Sequence, residues 1–305
     1  MARNQNANPM YGQNKADAVF TEKGHFTKSA GVPCQDANGI APVGGLIMPA
    51  FNTNINGISD DYSLADADPY AESATQLFPL GTTLDWGDRA FKYAQVSSAG
   101  AITAGKLLQQ RASVVAHHSQ NDMTGAVSAT TTDTTDISIE LSGDTDAALN
   151  LYQDGYLIIN SGTGAGQSWR IKSHPVVDQS DDATAVITVY GKLVTALASG
   201  ASSEATLTYN PYKDVIVSPT TATGAVVGVT NIDMTDDYYG WIQVRGPKAC
   251  LAGETLVLGM SVMASDADAG AVMPDNGDDL EPVIGEVMAS VVVDAEYNLV
   301  NLKIG

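Results

Sequence analysis

Short stretches of alternating apolar and polar residues follow one another along most of the chain. From Trp86 to Ala94, bulky apolar residues alternate with polar ones, which predicts a half-buried β-strand. Further strands are predicted at residues 106–110, 137–141, 156–160, 169–173, 185–190, 205–209, 215–217, 239–245, 255–263, 283–293 and 298–304. A short helix is predicted to begin at Asp68, as N-cap, with Pro69 at the first helical position. The pattern therefore predicts an all-β protein with little helix.

Changes in composition divide the chain into three regions. Residues 1–75 are rich in Asn, Gly, Pro, Ala and Asp and have few periodic apolar positions, which indicates an extended N-terminal arm. Residues 119–224 contain short predicted strands at fairly regular spacing, typical of a small β-barrel or β-sandwich domain, inserted or second in the chain. The flanking residues 76–118 and 225–305 are predicted to form the main β domain. The chain's 29 glycines suit tight turns, which need positive φ angles.

The net charge is strongly negative and unevenly distributed. The chain has 15 Lys and Arg residues against 35 Asp and Glu residues, a formal charge of −20. Such a surface repels phosphate backbones, so nucleic-acid binding is not expected. Residues 1–28 hold four basic and two acidic residues, which leaves them at +2 and the remainder at −22. Two interpretations of this leader stay open, a docking arm for a partner and a disordered terminus.

Cysteine usage and hydropathy narrow the classes of protein further. Cys34 and Cys250 are far apart in sequence and match no metal-ligand spacing. Two buried thiols and one disulfide are both compatible with this spacing. The N-terminus has no apolar signal region, and no run approaches 18 apolar residues. We therefore expect neither a signal peptide nor a membrane-spanning segment.

Three motifs invite a chemical interpretation. Gly162–Gln167 follows a predicted strand, as phosphate-binding loops do, but the next residues alternate like a strand and no P-loop lysine is present. A glycine-rich hairpin is therefore predicted. His117 and His118 look like an exposed pair, yet neighbouring residues on a strand face opposite sides and cannot easily share a metal. Asp275–Asp279 offers oxygen ligands for calcium, with a solvated acidic turn as the other interpretation.

The sequence contains no recognisable catalytic constellation. It has no GxSxG elbow and no Ser/His/Asp set with a local signature. Carboxylate pairs for glycoside hydrolysis depend on spatial separation, and nothing favours one pair over another. We therefore expect a protein that is not an enzyme and has no catalytic residue, metal, cofactor or small-molecule substrate.

Two passages resemble a recurrent pattern in virion proteins of tailed bacteriophages. The first is GTTLDWGDRAFKYA at residues 81–94, followed by AGKLLQ at 104–109, and the second is YGWIQVRGP at 239–247. Related segments follow at 251–256 and 282–288, and residues 162–171 are similar to a turn found between the two passages in such proteins. The resemblance covers about 81–110, 155–172 and 239–289, and residues 1–80 lie outside it.

The resemblance implies a capsid decoration or cement protein. Such a protein binds the outside of the shell, often as a homotrimer, and stabilises it through contacts with the major capsid protein and with copies of itself. It would be made in the host cytoplasm and located on the capsid surface of the virion. Another virion component, such as a tail, neck or fibre-base protein, is the main alternative. A carbohydrate-binding β protein is a further alternative from a different class.

Candidate interface residues are basic and aromatic positions of the arm and the aromatic residues of the two passages. They are Arg3, Tyr11, Lys15, Phe20, Phe26, Phe51, Trp86, Tyr239 and Trp241. For Trp86, Tyr239 and Trp241, packing in the core is the alternative role. Aromatic anchors dominate the binding energy of many interfaces, and apolar burial contributes about 25 cal/mol per Å².

Overall fold

The computed structural model describes most of the chain after residue 66. The described residues are 67–118, 128, 130–141, 145–178, 184–199, 203–277, 282–289 and 295–305, together with the backbone of two strands near the N-terminus. The chain forms two units, Met1–Ala65 and Asp66–Gly305. In the first unit, strands β1 (Ala18–Phe20) and β2 (Phe26–Lys28) pair antiparallel.

The regular secondary structure described in the second unit consists almost entirely of β-strands. They are β3 (Glu72–Ser73), β4 (Thr83–Trp86), β5 (Arg89–Gln95), β6 (Leu107–Gln109), β7 (Asp136–Glu140), β8 (Tyr156–Gly162), β9 (Ser168–Ser173), β10 (Thr184–Val189), β11 (Ser203–Thr208), β12 (Ile216–Val217), β13 (Val226–Thr230), β14 (Tyr239–Leu251), β15 (Ser261–Ala264), β16 (Val272–Pro274), β17 (Gly285–Ala289) and β18 (Tyr297–Lys303). The described residues contain no α-helix, and Val115–His117 forms a 3-10 turn. The antiparallel sheets curl into a half-barrel, and the predicted all-β class is confirmed.

Strands β7 to β11 form a five-stranded antiparallel sheet. Their order is β11-β8-β9-β10-β7. Side chains on each strand alternate between two faces, so every second apolar residue enters a shared core. Leu157 and Ile159 on β8 belong to the same core as Ile137 and Ile139 on β7, and all four are at most 1% exposed. The period-two pattern that predicts these strands is therefore also the pattern of their burial.

Eleven strands form the larger sheet, and its central member is β14. The main path runs β12-β6-β13-β14-β18-β17-β15-β16, while β3 and β5 also pair with β14, and β4 pairs with β5. The first half of β14 pairs with β5, with Trp241 opposite Tyr93. Its second half pairs with β18, with Ala249 opposite Leu299. One hydrophobic core lies around β14, β15, β17 and β18, and another around β5, β6 and β13.

Strand β14 changes partners near a bend at Gly246. The register with β5 shifts between Gln243 and Arg245. Gly246 has a φ angle of 86°, a left-handed conformation that glycine adopts without steric cost. The buried side-chain amide of Gln243 donates hydrogen bonds to the carbonyl groups of Arg245 (3.0 Å) and Pro247 (2.9 Å). These bonds provide buried partners for carbonyl groups at the bend, so one strand can continue from one pairing into the next.

The prediction of a helix that begins at Asp68 is wrong. The Tyr70 amide donates a hydrogen bond to Oδ1 of Asp68 (2.9 Å), which forms a local turn. The chain then extends, and Glu72–Ser73 pairs with the start of β14. Pairing with β14 uses backbone groups that a helix would have bonded internally, so a tertiary contact overrides the N-cap signal.

The long predicted strands are interrupted by turns. The strand predicted from Trp86 to Ala94 is a hairpin in the structure, because Gly87, with a φ angle of 64°, reverses the chain between β4 and β5. The strand predicted at 255–263 begins only at Ser261, after a turn in which the Met260 amide donates to the Val257 carbonyl (3.1 Å). Periodicity alone does not reveal such turns, because the apolar positions continue through them.

The predicted division into domains stays a prediction. Every strand between residues 136 and 208 belongs to the five-stranded sheet, whereas the strands at 72–109 and 216–303 belong to the larger sheet. Both sheets lie within one compact unit, Asp66–Gly305. Most of the predicted arm, residues 1–75, lies outside the described residues.

We expect Gly246→Ala to destabilise the protein much more than Gly259→Ala. Both glycines have positive φ angles, 86° and 82°, so alanine strains the backbone at either position by about 1–2 kcal/mol. At Gly246 the new Cβ would also lie 2.2 Å from the Asp88 carbonyl oxygen, whereas Gly259 has no neighbour within 4 Å. Urea unfolding near neutral pH measures the difference. Equal losses in the two variants would contradict the close approach of β14 to the β4–β5 turn.

Candidate interaction site on the β4–β5 hairpin

One face of the larger sheet carries a row of aromatic side chains. Residues directly opposite each other on antiparallel strands share a face, and Trp241 lies opposite Tyr93. Phe91 is on the same face of β5, since it precedes Tyr93 by two residues. All three side chains are at most 3% exposed. The row continues to the turn of the hairpin, where Trp86 lies opposite Arg89.

The middle of the row is covered by Phe78. Its ring centroid lies 5.2 Å from that of Tyr93 and 5.3 Å from that of Trp241. The Tyr93 hydroxyl accepts a hydrogen bond from the Leu77 amide (3.1 Å), so its polar end has a partner inside the protein. These buried rings stabilise the sheet and provide a fixed base for the hairpin.

The exposed end of the row consists of Tyr70, Trp86 and Arg89, which we call the Trp86 cluster. Tyr70 and Trp86 are 46% and 48% exposed and meet edge to face, with ring centroids 6.2 Å apart. The Arg89 guanidinium donates a hydrogen bond to the Tyr70 hydroxyl (2.6 Å) and lies 5.5 Å from the Trp86 ring centroid. The hydrogen bond and the cation–π attraction hold the three side chains in one arrangement at the surface.

This arrangement is suited to binding the surface of another protein. Tryptophan, tyrosine and arginine are enriched among the residues that dominate protein–protein binding energies. Their mutual contacts already restrict the three side chains, so less conformational entropy is lost when a partner orders them. Among the described strands, β4 pairs with β5 alone. Its outer edge therefore also offers backbone groups to an extended segment of a partner.

The hairpin is electrically neutral although the chain is strongly acidic. The segment Thr83–Gln95 contains two acidic and two basic residues. Asp85 pairs with Arg245 on β14 (2.9 Å), and Asp88 lies 4.0 Å from Arg89. Exposed pairs of this kind contribute little to stability. They do reduce the repulsion that another acidic surface would meet at the Trp86 cluster.

The structure places only part of the predicted interface set. Outside the described residues lie Arg3, Tyr11, Lys15 and Phe51. Phe20 and Phe26 lie on β1 and β2, of which only the backbone is described. Trp241 is buried in the core and Tyr239 is half-buried beside it, whereas Trp86 is available to a partner. Trp86 is therefore the one described candidate that belongs to the Trp86 cluster.

The sequence pattern does not single out Tyr70 and Arg89, the other two members of the cluster. Glycine at position 87 is a signal for a two-residue hairpin loop. Such a loop places its flanking residues opposite each other, which predicts the contact between Trp86 and Arg89. Tyr70 has no such local signal. It reaches Trp86 because the next strand, β3, pairs with β14. Only β5 lies between β14 and β4, the strand that carries Trp86.

The expectation of an exposed histidine pair is wrong. His117 is fully buried at the end of the 3-10 turn, and its Nε2 lies 3.0 Å from the Thr145 carbonyl oxygen. His118 is half-buried and forms a β-bridge to Thr206 on β11. Among the described residues, no three His, Cys, Asp or Glu side chains are grouped so that they could hold a metal ion.

The predicted glycine-rich hairpin is confirmed. Strands β8 and β9 pair antiparallel on either side of the loop, with Leu157 opposite Trp169. The Gly166 amide donates a hydrogen bond to the Ile159 carbonyl (2.9 Å), which closes the loop. A strand follows the loop where a phosphate-binding motif requires the N-terminus of a helix, so the aligned amides of such a motif are missing at this loop.

The remaining candidates are only partly described. Oδ1 of Asp275 accepts a hydrogen bond from the Gly277 amide (2.9 Å) in a turn, while residues 278 and 279 lie outside the described residues. Calcium binding at this segment stays a prediction. Cys250 is a free, buried thiol, and burial raises its pKa to about 12, which keeps it unreactive near neutral pH. Cys34 lies outside the described residues.

The chain matches no protein-family model, no curated protein and no solved structure. In the part of the chain that the structure describes, no helix has the length and apolar character required to cross a membrane. A functional proposal therefore depends on the geometry of the Trp86 cluster and on the resemblance in the sequence.

We expect Trp86→Ala to lower the free energy of unfolding much less than Trp241→Ala. Trp241 is 3% exposed and packs against Phe78 and Tyr93, so its loss should cost about 3–5 kcal/mol. Trp86 is 48% exposed, and we expect its loss to cost about 1 kcal/mol. Urea unfolding followed by circular dichroism measures both values. If Trp86→Ala costs as much as Trp241→Ala, the cluster serves the fold and not a partner.

Proposed function

We propose that this chain is a non-enzymatic structural protein of a bacteriophage particle, a decoration or cement protein that binds the outside of the capsid and stabilises the shell. In this proposal it is made in the host cytoplasm, and its partners on the capsid surface are the major capsid protein and further copies of itself in a homotrimer. The observation that carries the proposal is the Trp86 cluster. Its two aromatic rings, those of Tyr70 and Trp86, are about half exposed, and contacts with Arg89 already order them.

The resemblance in the sequence and the candidate site fall on the same strands. Residues 81–94 include the β4–β5 hairpin, and residues 239–247 form the first part of β14. These strands pair, although more than 140 positions separate them along the chain. Trp86 lies within the first of the two passages. The agreement supports applying the resemblance to this part of the sheet.

Binding by one copy would be modest. A half-exposed aromatic side chain has roughly 100 Å² left to bury. Tyr70 and Trp86 together therefore offer about 200 Å², or about 5 kcal/mol at 25 cal/mol per Å². The loss of translational and rotational freedom on binding offsets much of this gain. Many copies that contact one another on a shell bind far more tightly, because each further contact is intramolecular.

The N-terminal unit is joined to the second unit close to the cluster in sequence. The first unit ends at Ala65, and Tyr70 follows five residues later. A partner that binds both the arm and the Trp86 cluster would meet the second site at a high effective concentration. This short link supports a docking mechanism in which the arm and the hairpin act together.

Co-sedimentation with expanded capsid shells tests the proposal. We expect the full-length protein to bind shells at a fixed ratio and to raise their melting temperature. A variant that lacks residues 1–58 should bind less, and Trp86→Ala combined with Arg89→Ala should weaken binding by at least about tenfold. Val194→Ala is the matched control, since Val194 is 82% exposed and lies after β10, beside the other sheet. It should bind like the wild type.

Other outcomes separate the alternatives. If the protein binds tail or neck components and not shells, a virion role stands and the cement assignment is wrong. Binding to immobilised glycans without binding to shells would favour a carbohydrate-binding protein. Light scattering tests the homotrimer, which would have three times the chain mass of 31.7 kDa.

A further inference from the structure

Tyr152 belongs to the core of the five-stranded sheet and lies between two histidines. Its ring is fully buried and stacks on the Tyr209 ring, with the centroids 4.8 Å apart. His117 contacts the Tyr152 hydroxyl, and His174 contacts its backbone amide. We call His117, Tyr152 and His174 the Tyr152 cluster. It plays no part in the proposed binding to the capsid.

Two stretches of chain that join the sheets run past this cluster. Residues 110–118 leave β6 and include His117, while residues 209–215 lead from β11 back to β12. Lys213, in the second stretch, donates a hydrogen bond to the Leu151 carbonyl (2.9 Å), next to Tyr152. The cluster therefore connects both joining stretches to the segment that precedes β8.

The hydrogen bonds of His117 fit a neutral ring. The Thr145 carbonyl, 3.0 Å from Nε2, is an acceptor only, so Nε2 carries the proton. Nδ1 then accepts a hydrogen bond from the Tyr152 hydroxyl. A second proton, on Nδ1, would reverse the direction of this bond and would place a positive charge on a buried ring. Burial lowers the pKa of His117, in agreement with the neutral form.

His174 is held neutral in the opposite tautomer. Its Nδ1 donates to the Pro175 carbonyl (2.7 Å), and its Nε2 accepts a hydrogen bond from the Tyr152 amide (2.9 Å). Burial lowers the pKa of His174, and the positive charge of Lys213 lowers it further. Protonation of Nε2 would break the bond to Tyr152 and place a second cation near Lys213.

Two permanent cations, Arg111 and Lys213, lie near the cluster. The titratable and charged groups that face it from the packed elements are Arg111, His118, Asp154, Tyr209, Lys213 and Asp214. The two carboxylates are already paired, Asp214 with Arg111 and Asp154 with Arg170 (3.0 Å). Acid would therefore add positive charge beside Lys213 and Arg111, at low local dielectric.

We propose that the Tyr152 cluster is an acid-sensitive joint that fixes the two joining stretches to the five-stranded sheet. At neutral pH it holds residues 145–154 and both joining stretches in place. In mild acid the two histidines take up protons, the bond from the Tyr152 amide to His174 breaks, the buried His117 becomes charged, and the joining stretches loosen from residues 145–154. We expect the strands of each sheet to stay paired, because none of the described strands contains a histidine. The inference does not depend on the proposed role in a phage particle.

The pH range follows from the balance of protons. Burial holds the pKa of both histidines below the usual 6.5, so below pH 6.5 the closed joint binds fewer protons than the open joint. Each histidine then raises the opening equilibrium constant by up to about tenfold per pH unit, and the two together by up to about a hundredfold. Well above pH 6.5 the histidines are neutral in both states, and opening should not depend on their protonation.

Hydrogen exchange measured by NMR tests the joint in the full-length protein. Between about pH 7.5 and about pH 5.5, we expect the Tyr152 amide to lose about tenfold to a hundredfold of its protection, after correction for intrinsic exchange. The amides of Val300 and Leu302 on β18 should keep theirs. Nitrogen-15 spectra of the four histidines should show His117 protonated on Nε2 and His174 on Nδ1 near neutral pH.

His174→Gln separates proton uptake from hydrogen bonding. The glutamine side-chain oxygen reaches the position of Nε2 and accepts the bond from the Tyr152 amide but takes up no proton. This variant should lose about tenfold of the acid response. His25→Gln removes a histidine from the first unit and serves as the control, which should respond like the wild type.

Three results would contradict the proposed acid-sensitive joint. They are unchanged protection of the Tyr152 amide in acid, a charged His117 or His174 near neutral pH, and a full acid response in His174→Gln. If His174→Gln does not fold, the exchange and nitrogen-15 measurements on the wild type decide the question. Loss of protection in β18 to the same extent as at Tyr152 would indicate global unfolding and would equally contradict a local joint.

Discussion

Backbone pairing along β14 is the constraint on which the larger sheet depends. This strand of 13 residues pairs with β3, β5, β13 and β18, so it joins early and late segments of the second unit. Ile242 from its first half and Cys250 from its second half belong to different hydrophobic cores. Arg245 pairs with β5 on one edge of β14 and with β18 on the other, close to the carbonyl groups to which the Gln243 side-chain amide donates.

The aromatic row shows how the same sheet provides both stability and a surface for binding. Phe78, Tyr93 and Trp241 pack together under the hairpin, which fixes the position of β4 and β5. Trp86 and Arg89 extend this row to the turn, where solvent reaches them. Side chains on a firmly packed hairpin are better positioned for a partner than side chains on a loop. The resemblance to phage virion proteins falls on these strands, which is why we place the proposed contact with the capsid there.

The junction between the sheets has a different chemistry from their cores. The cores are formed by aliphatic and aromatic side chains, whereas the stretches that join the sheets contribute His117, Lys213 and the pair of Arg111 with Asp214. A buried polar network holds one arrangement firmly while its hydrogen bonds are satisfied. Burial of a neutral histidine in such a network links proton uptake to its opening.

The sequence by itself determined the all-β class, most strand positions and the hairpin at Gly162–Gln167. These follow from period-two burial and from glycine in turns, which are local properties of the chain. Only the tertiary structure decided that Trp86 is exposed and Trp241 buried, although glycine adjoins both. Trp241 lies on the central strand under Phe78, and Trp86 lies on a strand with one described partner. His117 is buried for a similar reason, since Thr145 and Tyr152, distant in sequence, surround it: burial depends on neighbours that only folding brings together.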